Sequence, residues 1–164
     1  MKNLCSTITL AVFLFIWSNT IQAQSSQKQL NQVELMKQYI GSWKVDLSKD
    51  TTVFFNYKPF GTGLECSYKI VIKGVETEGK QLSGYSKSID KFIVSGITKG
   101  TDIKLYGNWF TSKNKYVFVP YSDISNPEKT SFRVDGEFKS PDLLIETHTI
   151  NGKVWKTITY KRVK

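Results

Sequence analysis

The sequence predicts an all-β protein, an up-and-down antiparallel β-barrel of about 8–10 strands behind one short N-terminal helix. Three observations predict it. After Gly41, apolar and polar residues alternate with a period of two along segment after segment. Turn signals rich in Gly, Asn and Pro separate those segments at roughly ten-residue spacing. The stretch with helical spacing comes before all of them.

Lys2 followed by the apolar run "ITLAVFLFIW" (8–17) reads as a signal peptide, with cleavage expected after Ala23. The run is shorter than the ~20 residues of a spanning helix. Residues 1–23 are therefore expected to be leader and residues 24–164 one barrel domain. In "QLNQVELMKQYI", Leu30, Val33, Met36 and Ile40 fall at helical spacing, so a helix of two to three turns is expected to stop at Gly41.

The period then becomes two. "LECSYKIVI" puts Leu64, Cys66, Tyr68, Ile70 and Ile72 on one face. "DIKLYGNWF" does so with Ile103, Leu105, Gly107 and Trp109, and "SFRVDGEF" with Phe132, Val134, Gly136 and Phe138. One-sided alternation predicts a sheet with one buried face. The segments are divided by "PFGTG", "TEGK", "TKGTD", "SNPEK", "KSPD" and "TINGK", the last a two-residue hairpin signal at Asn151-Gly152. A long meander must hide its edges, and closing on itself is the simplest way.

The whole chain carries +9, nearly all of it as Lys, with Arg133 and Arg162 the only arginines. The lysines are scattered rather than clustered. That predicts a solvated surface rather than a nucleic-acid interface. Removing the leader leaves Cys66 as the one cysteine, so no internal disulfide is expected.

A short helix, then Gly41-x-Trp43 on the first strand, then a meander ending in a strand with Arg162, resembles the lipocalin-like (calycin) β-barrels. The resemblance is closest to bacterial exported lipocalin-like proteins of unknown function, which share the helix leading into "GSW" and a final hairpin like "INGKVWKTITYKR". It implies that Trp43 lies across the closed end of the barrel and that Arg162 packs against it. Gly41, Trp43 and Arg162 are thus structural-motif residues. The lipocalin disulfide to the C-terminus and a second turn motif are missing.

The chemical inventory is sparse. The one histidine, His148, is needed by any nucleophile–base pair, and no Gly-x-Ser-x-Gly, His-Glu-x-x-His or Cys-x-x-Cys occurs. No catalytic residue, metal ligand or cofactor is expected. Nitrobindin-like haem barrels use one histidine near the C-terminal strands, which makes haem ligation by His148 a weaker alternative. The extended glycine motif of those proteins is absent after Trp43. His148 shares a strand face with Leu144, Glu146 and Ile150, and this acid-bearing face is expected to point outward.

Aromatic and aliphatic side chains remain. Tyr68, Ile70, Trp109, Phe118 and Phe132 are the candidate cavity residues, with Lys156 and hydroxyls to fix a polar end. The expected function is that of an exported, non-enzymatic, monomeric barrel, secreted or periplasmic. It would bind a small apolar or amphipathic ligand, with no nucleic acid and no stable membrane insertion once the leader is gone. The alternative is a packed barrel serving as a structural or interaction module of the cell envelope.

Overall fold

The computed structural model describes residues 30–163. The expected leader lies outside the described residues. Helix α1 (Gln32–Met36) runs into a 3-10 turn (Lys37–Tyr39). Helix and turn together make the element of about two turns that the spacing predicts, and Asn31 caps its start, its side chain accepting from the Glu34 amide at 3.0 Å.

Ten strands follow: β1 (Gly41–Ser48), β2 (Thr51–Phe60), β3 (Gly63–Ile72), β4 (Val75–Ser86), β5 (Lys91–Thr98), β6 (Lys104–Phe110), β7 (Lys115–Pro120), β8 (Phe132–Ser140), β9 (Leu143–Ile150) and β10 (Lys153–Val163). Each pairs antiparallel with its sequence neighbour, and β1 pairs with β10 through Trp43 opposite Arg162. The sheet is closed, so the edge-strand problem is removed rather than managed.

The hairpins follow from turn chemistry. Asn151 (φ 48°) and Gly152 (φ 75°) both take left-handed backbone, as the tight two-residue turn between β9 and β10 requires. Lys73 (φ 49°) and Gly74 (φ 83°) do the same between β3 and β4. "TEGK" is not a turn, as the sequence suggested, but lies inside β4. Its Gly79 faces Tyr68 across the sheet, and a Cβ there would collide with that ring. The glycine makes room for an aromatic rather than bending the chain.

The helix and the turns β2–β3, β4–β5, β6–β7 and β8–β9 gather at one end of this meander; the other five turns ring the opposite end. The helical end is plugged by Trp43, 2 % exposed. Its indole N–H donates to the Tyr39 carbonyl at 2.7 Å, and the Arg162 guanidinium lies 4.2 Å from the ring centroid. That guanidinium donates to the carbonyls of Ile40, Gln38 and Pro141. Gly41 (φ 117°) sits in backbone space that L side chains avoid, and a Cβ on it would come within 2.5 Å of Arg162 Nη1. Gly-x-Trp therefore turns the helix into the strand, leaves room for the arginine and supplies the plug.

Gln32 clamps the helix to the barrel. Its amide nitrogen donates to the Phe110 carbonyl at 3.0 Å and its oxygen accepts from the Phe110 amide at 2.7 Å.

Two strands present the opposite face to the one the sequence suggested. In β6, Tyr106, Asn108 and Phe110 point inward, while Gly107 and Trp109 point out. The segment after β7, with its 3-10 turn Tyr121–Asp123, packs over this outer face. Ile124 fills the space that a Gly107 side chain would take, and Lys91 stands 4.1 Å over the Trp109 ring while donating to the Ile124 carbonyl. Both faces of β6 are covered, so alternation alone does not choose between them. In β9, Leu144, Glu146 and His148 point inward, and the reason lies in the cavity.

Candidate ligand cavity

The barrel encloses a cavity of about 240 Å³. Its walls are mostly apolar: Phe55, Leu64, Val94, Phe118, Phe132 and Val134 come from five strands. Tyr106 stacks on Phe118 with ring centroids 4.5 Å apart. Toward the open end, Phe132 and the exposed Trp155 lie 5.9 and 6.4 Å from the His148 ring.

The polar part of the cavity is organised around Glu146. Tyr116 donates to its Oε1 at 2.5 Å and Tyr160 to its Oε2 at 2.6 Å. His148 Nε2 lies 3.0 Å from the same Oε2. A carboxylate facing inward is costly unless donors replace its water, and here three converge on it. The sheet register explains the reach. Tyr116 is opposite Gly136, and Gly136 is opposite Glu146. A Cβ on Gly136 would collide with the Tyr116 ring, so the tyrosine lies across the gap and meets the acid two strands away. Tyr68 uses the same device over Gly79, its hydroxyl 2.6 Å from Thr98 Oγ1.

Burial holds the phenols of Tyr39, Tyr57, Tyr116 and Tyr160 well above the usual 10.0, with the Glu146 charge adding to the effect at each. All four rings are donors at neutral pH. Tyr39 comes from the 3-10 turn under the barrel, with its ring 5.3 Å from Tyr116 and 5.4 Å from Tyr57. Asn108 donates to the Tyr39 hydroxyl at 3.3 Å, and its Oδ1 is buried without a hydrogen-bond partner in the protein.

Of the candidate cavity residues, Phe118 and Phe132 line the cavity. Tyr68 and Ile70 face the interior beside it. Tyr68 packs on Phe55 at 5.8 Å, and Ile70 joins the apolar cluster of Val45, Val53 and Ile158. Trp109 does not line the cavity but lies on the outer face of β6, under the Lys91 ammonium. Lys156 does not supply a polar end, because its ammonium is tied to the Leu47 carbonyl at 3.0 Å. His148 is a largely buried wall residue rather than a surface one. Cys66 is buried, and burial pushes its thiol up to about 12.

Sequence reasoning missed Glu146, Tyr116, Tyr39 and Asn108. One usable signal was Gly136 on the apolar face of "SFRVDGEF", a gap that a neighbouring ring could cross. Glu146 itself looked like a solvent residue because its donors come from other strands.

Among the described residues no group of three or more His, Cys, Asp and Glu side chains is placed to hold a metal, and no helix is long and apolar enough to cross a membrane. No protein-family model matches the chain, and no curated protein matches its sequence. The ten-stranded closed barrel is compatible with a lipocalin-like fold.

Proposed function

We propose that this protein is an exported, non-enzymatic carrier or sensor that binds one small amphipathic molecule inside its barrel. The observation that carries this reading is an interior cavity with apolar walls and a single polar cluster. That is the arrangement by which small-molecule sites fix orientation. At about 240 Å³ the cavity is below the ~300–1,000 Å³ common for drug-sized ligands, so the occupant is smaller than a long-chain lipid or a tetrapyrrole. Binding rather than turnover is supported by the engagement of Glu146 and His148 with each other and with two phenols.

Native mass spectrometry of the protein purified from its own host tests this. A retained molecule that is lost on Val134→Phe, which fills the cavity, is the expected result. Absence of any adduct, together with no thermal shift across a panel of small aromatics, would overturn it.

A second reading is favoured by the open rim. Ile72, Val75, Ile103, Val154 and Trp155 are exposed there, and the turns at that end carry exposed Lys49, Lys73, Lys99 and Lys153. Apolar side chains ringed by lysines suit an anionic surface. Salt-sensitive sedimentation with phosphatidylserine-containing vesicles, lost on Trp155→Ala, would support it.

A further inference from the structure

We propose that the ligand of this cavity carries a protonated amine at its polar end. This rests on reading the cavity as a ligand site. The chain is strongly basic, with 23 Lys and Arg against 14 Asp and Glu, yet no Lys or Arg lines the cavity. The one carboxylate in the wall is Glu146, and among the described residues it makes no ion pair with a Lys or Arg. A fatty acid or other carboxylate entering would meet this acid without a cation to offset it.

The hydrogen-bond order points the same way. The Tyr116 hydroxyl donates to Glu146 Oε1. The Tyr39 oxygen accepts from the Asn108 amide nitrogen at 3.3 Å. With the Asn108 amide nitrogen turned to Tyr39, its Oδ1 is left without a partner, on a residue only 6 % exposed that lines the cavity. An orphan buried acceptor is costly, and a ligand N–H satisfies it. Glu146 Oε1 carries a single hydrogen bond and keeps acceptor capacity. The rings of Tyr39, Tyr57, Tyr116 and Tyr160 line the same cavity, and π faces attract an ammonium. His148 is the one wall residue able to carry a positive charge. It faces the open side and is already turned onto Glu146 Oε2.

The test compares four probes of one shape by isothermal titration calorimetry: phenethylamine, 2-phenylethanol, 3-phenylpropionate and phenethyltrimethylammonium. The purified wild-type protein should bind the amine at least tenfold more tightly than the alcohol. It should bind the trimethylated cation more weakly than the amine, because its N–H donors are gone, and should reject the carboxylate. Glu146→Gln should remove the amine's advantage over the alcohol. Equal binding of alcohol and amine, preference for the carboxylate, or an amine advantage that survives Glu146→Gln overturns the amine assignment and leaves the cavity reading standing. No binding by any of the four overturns both. If Glu146→Gln does not fold, as judged by circular dichroism, the wild-type ranking alone decides.

Discussion

Tyr39, Tyr57, Tyr116 and Tyr160 put a pH limit on this fold. Each phenol is raised above 10.0 in the folded protein, so the folded state holds these protons more tightly than the unfolded chain does. Their contribution is whole below pH ~10 and drains away as the pH climbs from there toward the folded-state values. Denaturant titrations at rising pH should show stability falling steeply above pH 10, and Tyr57→Phe should flatten that slope. Gly136→Ala should push the Tyr116 ring off Glu146 at a cost of about 1–3 kcal/mol from overpacking. Cys66 needs the opposite kind of measurement. With its thiol at about 12 and buried, thiol reagents at neutral pH should label it only as fast as the barrel unfolds.

The helix and the first and last strands act together at the element scale. Trp43→Ala should cost ~3–5 kcal/mol, as removal of a large buried aromatic does. Arg162→Ala should cost less, and the double mutant should fall short of the sum, because the guanidinium stacks on the indole. Additive losses in chemical denaturation would mean that the plug is two independent contacts. Gln32→Ala should free the Phe110 amide to exchange with solvent while leaving the rest of the β ladder protected, which hydrogen–deuterium exchange would show directly. Gln32 was invisible as a clamp in the sequence because its partner is 78 residues away.

The molecule as a whole should respond to an occupant as one body, since the walls of the cavity come from strands all round the ring. A ligand at 100 times its Kd should raise the unfolding free energy by ~2.7 kcal/mol, read as a shift of the thermal midpoint. The shift should vanish in a cavity-filled variant that keeps its β-type circular dichroism. An unchanged shift would place the ligand outside the barrel.

Alternation after Gly41, the turn residues and the Gly-x-Trp motif determined the fold class from the sequence alone. They act through local backbone geometry, which a short window contains. The inward faces of β3 and β8 were legible for the same reason, since each has one clearly apolar side. Tertiary structure decided the rest. β6 has two apolar faces, and only the segment packed over Gly107 settles which one Trp109 occupies. β9 turns an acid inward, and it can do so only because Tyr116 and Tyr160 arrive from other strands to satisfy it. A buried charge is expensive or tolerable according to its partners, and those partners are fixed by the closure of the barrel rather than by proximity along the chain.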